Sequence, residues 1–406
     1  MTEAETETET FETIDWDTLD GSVSLLSPRL LAFLAGAALV GAAFLYDYFV
    51  LPASKPTIHA VGSRVDLGFF LVTPFTWDFV QTDWLFVLSL WVVLLFAGLP
   101  LARSAQVRNR YWRIIRHRPL ALASLVYLSL VVVAGFVGPL FWQASINLPH
   151  QFQPPAFLWG PARLADPCLG VETADRCYGT LRYPLGTSPY GKNMIPLLFS
   201  GAHVAVKVAL ITGTIIVPVA TVVGAVAGYF GGRVDTLLMS YVDVQQTIPA
   251  FVAYLVLSYW GRSLFLFVAV FGLLSWGGLA RLVRSEAIQC REDAYVLAAR
   301  SAGTSDLTIL AKHVIPNVAN AAVVGLTRLI PTIILIEAAI SYMDMNDIMI
   351  LSWGEIAAQG INTFSGQFPY VYWVTLWPVV ALALTVVAAS ILGDAVRDGL
   401  DPKNSG

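Results

Sequence analysis

Charge is what this chain has least of. Asp, Glu, Lys and Arg together make up 13% of its 406 residues, where a soluble globular domain carries about a quarter. That shortage excludes a soluble enzyme, and the 56% hydrophobic content points to a chain that lives in a bilayer. Histidine and cysteine are as thin. The five histidines, His59, His117, His150, His203 and His313, are scattered without metal-ligand spacing, and no Gly-x-Ser-x-Gly nucleophile elbow occurs. Neither a catalytic residue nor a metal site can be named. Three cysteines permit one bridge at most: Cys168 and Cys177 share a segment between spans and can close a short loop if it faces an oxidising exterior. A cleavable signal is missing too, because residues 1–28 form an acidic tail with neither a basic start nor an apolar core, a composition expected to be disordered.

Long apolar runs fill the rest. Taking about twenty such residues as one crossing, the spans are Arg29–Leu51, Asp83–Ala102, Leu120–Trp142, Gly201–Tyr229, Thr236–Trp260, Leu264–Ala280, Ala319–Ile340 and Val371–Leu392. Between the first two, Leu67–Val80 is interrupted by Pro74 and reads as interfacial or re-entrant. The densest basic run, Arg103 to Arg118, is cytoplasmic by the positive-inside rule. Parity then puts 143–196 outside, the 281–318 segment inside, and both termini in the cytoplasm. The expectation is an all-α polytopic membrane protein of about eight transmembrane helices, in the cell membrane and in contact with its lipid.

Polar residues gather in one stretch between spans, Arg281 to Asn317. Tyr295, Val296 and Ala299 recur at helical spacing, and Gly303 stands where a helix would end in the left-handed conformation. Ser305 can cap a second helix through Leu307, Ile309, Leu310 and Val314, with Asp306 in its first turn, Lys312 and His313 near its last, and Pro316 stopping it. Two readings share that shape: an amphipathic connector on the lipid surface, or an element on which something docks. Nucleic acid is a poor partner, since the loop mixes acids with its bases and is tethered to the membrane at both ends.

Gly186-Thr-Ser-Pro-Tyr-Gly191-Lys192-Asn193 imitates a phosphate-binding P-loop but ends in Asn where a magnesium-binding Ser or Thr belongs, and no strand precedes it. Any ATP must therefore be handled by another chain. Ionisable residues inside spans, each costing about 2.5–3.5 kcal/mol to insert, are candidates for lining a path. Asp243 and Arg328 fall at similar depth and are expected to pair in the bundle interior. Lys207 and Glu337 fall toward the outer half, where they could line an exterior mouth. These four charges support an alternative reading as a secondary transporter or channel. Glycines and prolines within spans, Gly213, Gly224, Gly228, Pro249 and Pro331 among them, suit close packing and kinks.

Tyr295-Val-Leu-Ala-Ala-Arg-Ser-Ala-Gly303 through Ile315-Pro316-Asn317 resembles the EAA signature of binding-protein-dependent ABC importer permeases. Tyr183-Pro-Leu-Gly186-Thr187, Ala227-Gly-Tyr-Phe-Gly-Gly232, Ser352-Trp353-Gly354 and Leu392-Gly-Asp394 onward look like the dipeptide/oligopeptide/nickel branch in particular. The resemblance covers 111–403 and implies a six-helix permease core there. Residues 29–110, two further spans and a basic linker, lie outside it. It also implies a second homologous permease subunit, two ATPase subunits that use ATP and Mg, and an extracytoplasmic solute-binding protein; this chain itself would hold no cofactor. The 281–318 loop would be the ATPase-coupling element, with Tyr295, Ala298, Ala299, Arg300, Gly303, Asp306 and Pro316 as coupling residues. Two departures stand out: Leu297 replaces the signature Glu, and Ser188, Lys192 and Asn193 replace the usual Asp, Arg and Asp of the exterior motif.

Overall fold

A computed structural model describes residues 28–50, 65–66, 71–72, 79–142, 144–346, 350–362 and 370–400. The acidic tail, most of the stretch around Pro74 and the terminal Lys403 lie outside the described residues. The predicted spans form helices because hydrocarbon offers the backbone no hydrogen bonds, so each segment must satisfy its own. In chain order they are α1 (Pro28–Val50), α2 (Gln81–Arg103), a short α3 (Ala105–Arg116), α4 (Pro119–Phe141), α5 (Met194–Phe230), α6 (Gly232–Gln246) and α7 (Ala250–Leu257). Then follow α8 (Leu264–Leu274), α9 (Gly277–Arg291), α10 (Ala294–Ser301), α11 (Asp306–Tyr342), α12 (Trp353–Asn362) and α13 (Tyr372–Leu400).

Among the described residues, seven helical stretches are long and apolar enough to cross a membrane, α8 and α9 counting as one. The predicted fifth span differs: it is broken at Thr247–Pro249 into α6 and α7, neither of which has the length to cross alone. Pro249 lacks the N–H that a continuing helix would need. The broken pair still runs from one end of the bundle to the other. Asp235, at its start, is bonded to Arg284 of α9, whereas Tyr254 donates to Met345 O at 3.1 Å and Arg262 to Asp344 O at 2.5 Å beyond the far end of α11.

The hub is α5, which touches α2, α4, α6, α8, α9, α11, α12 and α13. Its tightest contact is with α9. Gly224 and Gly228, four residues apart on one face, allow an approach so close that a Cβ would lie 2.5 Å from Ala280 O and 2.6 Å from Arg284 O respectively. This is the small-residue packing that membrane helices use in place of a hydrophobic driving force.

At the opposite end of the bundle from α10, residues 144–193 fold as a compact cap. Two short antiparallel strands, Trp159–Pro161 and Arg176–Tyr178, are paired, and Cys168 and Cys177 are joined by a disulfide. The sequence that imitates a P-loop is the clasp of this cap. Thr187 Oγ1 accepts from Gln153 N at 2.8 Å and donates to His150 O at 2.7 Å, while Trp373 Nε1 of α13 donates to Thr187 O at 3.1 Å. Gly186, at φ 83°, lies where a side chain would strike Trp373. Ser188 Oγ accepts from the amides of Tyr190 and Lys192, each at 3.2 Å, and Asn193 Oδ1 caps α5 by accepting from Ile195 N at 3.0 Å. Asn193 is a helix cap, which explains an Asn at that place.

Two outcomes are expected. Gly228→Leu forces α5 off α9 and costs about 3 kcal/mol, visible as a lowered melting temperature of the detergent-solubilised protein; an unchanged melt would refute the close approach. In the cap, His150 Nδ1 lies 2.7 Å from both Asn147 Nδ2 and Tyr183 Oη. Burial, and then the Arg182 charge, lower its pKa. The unfolded chain, with a histidine near 6.5, therefore takes up the proton first as pH falls. His150 contributes fully above about 6.5, and that contribution is lost as pH falls through the folded value. Melting of the cap should move down in acid, and His150→Gln should flatten the profile between pH values on either side of about 6.5.

Candidate functional site

Helix α9 ends at Arg291, two residues turn the chain, and α10 begins. Ala302 closes α10, and the return is a full Schellman motif: Gly303 N donates to Arg300 O at 3.0 Å and Thr304 N to Ala299 O at 3.1 Å. Gly303 takes φ 80°, with open space where a side chain would go. Ser305 stands at the N-cap of α11, its hydroxyl 2.8 Å from that of Thr308.

A polar clamp ties this turn to the end of α5. The Tyr229 hydroxyl donates to Asp306 Oδ1 at 2.6 Å and accepts from Arg300 Nη2 at 3.0 Å, and the Arg300 guanidinium also lies over the Tyr229 ring at 5.3 Å. The bond to Tyr229 raises the Arg300 pKa further, so its charge is fixed. A second tie closes the loop at its base. Tyr295 Oη sits 3.0 Å from Cys290 Sγ and accepts from Asn317 Nδ2 at 2.9 Å, and Asn317 also donates to His313 O. Burial of the phenol, and then the Cys290 thiol, push Tyr295 well above its ordinary range, so it remains a neutral hydroxyl.

Beneath the turn, Val296, Ile309 and Val314 are fully buried. Above it, Leu307 is 72% and Leu297 48% exposed, with Ala298, Ala302 and Gly303 exposed between them. Thus a rigidly held turn presents an apolar tip. Tyr295, Ala298, Ala299, Arg300, Gly303 and Asp306 are gathered here. Pro316 is not, and it does not end a helix as expected: α11 runs through it, because a π-helical turn at Leu310–Val314 carries the chain into Pro316 at the start of the next segment, where its missing N–H costs nothing.

Comparison with known proteins decides the lineage. Residues 220–406 match the profile of the binding-protein-dependent transport system inner membrane component, and 108–155 match that of the N-terminal TM domain of oligopeptide transport permease C. The chain is similar to the binding-protein-dependent transport permeases. It is 28% identical over 298 residues to the dipeptide transport system permease protein of Bacillus subtilis, an alignment covering 72% of this chain and 84% of that one. The oligopeptide transport system permease protein of Haemophilus influenzae is 27% identical over 70% of this chain and 85% of its own length. A putative peptide transport system permease protein of Brucella abortus is 29% identical over 72% and 90%.

The permease handles its intramembrane charges differently from the expectation. Asp243 does not meet Arg328. It accepts from Arg281 of α9 at 2.5 Å, with Gln246 on the same guanidinium, whereas Arg328 lies 4.0 Å from Asp394 of α13. Both pairs are exposed. Similar depth along two helices said nothing about which faces meet, and a third helix supplied each partner. Lys207 and Glu337 are both buried within the chain. Lys207, 6% exposed, is 2.5 Å from Asp83 Oδ1, and Asp83, fully buried, also accepts from Val80 N at 2.8 Å. Glu337 is buried and accepts from Ser341 Oγ at 2.7 Å. Among the ion pairs of the described residues, none joins two of these four.

Residues missed from the sequence are Tyr229, Cys290, Asn317 and Asp83. Tyr229 carried a signal, standing inside Ala227-Gly-Tyr-Phe-Gly-Gly232. Asp83 carried one as well, as an acid at the mouth of α2 facing a lysine that needed an opposite charge. In this permease, replacing either Asp83 or Lys207 alone by a same-sized neutral residue should cost about 3–5 kcal/mol. The double replacement Asp83→Leu with Lys207→Met should recover most of it. A double-mutant cycle on detergent melts reads the coupling, and strict additivity would sink the pair.

Proposed function

We propose that this permease subunit imports peptides or related small solutes, driven by ATP that separate subunits hydrolyse. The single observation that carries the reading is the exposed apolar turn at Leu297–Leu307, held on α5 and α9 by side-chain bonds and left uncovered by the described residues. An apolar surface kept rigid at the end of a bundle suits a partner that pushes on it, and the two tied helices can pass closure to the bundle as a rigid-body movement. The relatives' names support peptides as the cargo.

On this reading the assembly comprises a second homologous permease subunit, two ATPase subunits using ATP and Mg, and a solute-binding protein at the disulfide-bonded cap. The cap faces out, and both termini lie inside. Leu297, in the signature Glu position, leaves the ATPase contact to apolar burial and to the charges of Glu292, Asp293 and Arg300. The alternative, a secondary transporter worked by Asp243, Arg328, Lys207 and Glu337, is weakened because each of the four is engaged separately.

Leu307→Asp removes the tip without touching the clamp, and Gly303→Val strains the turn by about 1–2 kcal/mol at positive φ. Both should abolish co-purification of the ATPase and reduce solute uptake at least tenfold while the permease itself still folds. Uptake should also survive collapse of ion gradients. Intact ATPase association in both variants would overturn the assignment.

A further inference from the structure

Helix α3 holds arginines for which neither the clamp nor the bundle has a use. From Trp84 to Ala165 the sequence contains no acidic residue, yet Arg103, Arg108, Arg110, Arg113, Arg116 and Arg118 fall together within it. The helix is bolted in place on one side only. Ile115 is buried against Ala121 of α4 and Ala395 of α13. Arg118 pairs with Asp398 of α13 at 2.6 Å, and Arg108 donates to Ala102 O at 3.3 Å.

The acids on α13 nearest this helix are thus accounted for: Asp398 serves Arg118, and Asp394 serves Arg328. Arg103, Arg113 and Arg116 are exposed and enter no ion pair among the described residues. Arg113 and Arg116 are one turn apart and so share a face, with Trp112, 50% exposed, beside them. The site's position is fixed as well, because α3 joins the end of one crossing helix to the start of the next. Leu101 and Leu120, on those two helices, present exposed apolar side chains.

Three guanidiniums without a counter-charge among the described residues, at the rim of two lipid-facing helices and near a half-exposed indole, match the edge of a charged leaflet. Guanidinium binds phosphate oxygens through paired N–H groups, and Trp favours the headgroup level. We propose that α3 is a binding site for anionic phospholipid, with Arg113 and Arg116 holding the headgroup phosphate, Arg103 at the end of α2 adding positive charge beyond the other end of α3, and Leu101 and Leu120 flanking the acyl chains. The site is distinct from the turn at Gly303 and does not depend on what docks there.

The test uses the full-length chain in nanodiscs of phosphatidylcholine with phosphatidylglycerol, followed by native mass spectrometry of the retained lipid. Wild type should retain phosphatidylglycerol over phosphatidylcholine by roughly tenfold, and the preference should fall as salt is raised. Arg103→Gln with Arg113→Gln and Arg116→Gln should abolish it, and the matching triple Lys variant should keep most of it. Equal retention by wild type and the Gln variant overturns the proposal. So does a Gln variant that keeps the lipid but loses its partner subunits, since the arginines would then face a protein surface. Should the Gln variant fail to fold, the salt titration on wild type decides alone, a flat response refuting the site.

Discussion

Lys207 sits within a helix that crosses hydrocarbon, and much of the architecture follows from how that charge is met. The counter-ion comes from Asp83, at the start of the second of two N-terminal spans, and the contact is sealed by apolar and polar neighbours. Phe86, one turn along α2, is fully buried, its ring 5.3 Å from that of Phe136 on α4 and 5.6 Å from that of His203 on α5. Ser89 reaches Thr214 at 2.9 Å. A buried ion pair contributes little net stability compared with apolar packing, but losing one half of it is costly, so such a pair selects one arrangement of helices over others. Here it fixes α2 on α5. The second N-terminal span is packed on the central helix α5, and the first packs on the second.

The same helix carries the second fixed point. From the charge pair toward its other end, α5 passes the glycine contact with α9 and finishes at Tyr229, whose hydroxyl is shared between Arg300 and Asp306. One continuous helix therefore links the packing of α2, the tightest helix crossing and the exposed turn. Asp235 and Arg284, joined by two bonds of 2.5 and 2.6 Å, secure α6 to α9 alongside it.

Much of this was legible in the sequence where a local rule governs the outcome. Spans of hydrophobic residues became helices because backbone satisfaction in lipid leaves little choice. Gly303 became a helix stop because its neighbours can close a Schellman motif only around a left-handed residue, and Gly224 and Gly228 became a close contact. Cys168 and Cys177 lie near one another in sequence, and the cap brings them together. What depended on helix rotation was not legible. The pairing of Asp243 with Arg328 rested on depth alone, and depth does not say which way a side chain faces. Pro316 shows a different limit: proline ends a helix only when the hydrogen bond it cannot make is needed, and a π-helical turn upstream removes that need.

That π-helical turn has a mechanical side. Because it absorbs Pro316 without a break, α11 extends unbroken from Asp306, in the clamp, to Tyr342, a run of 37 residues and roughly 55 Å at 1.5 Å per residue. Glu337 and its buried hydroxyl and amide partners lie near the far end of that run. The helix is a lever that stays helical from the tip to the opposite face, through the π-helical turn and through Pro331. A tilt of about 10° applied at Asp306 displaces the other end by roughly 10 Å if the pivot is near the tip, and by half as much if it is at mid-length.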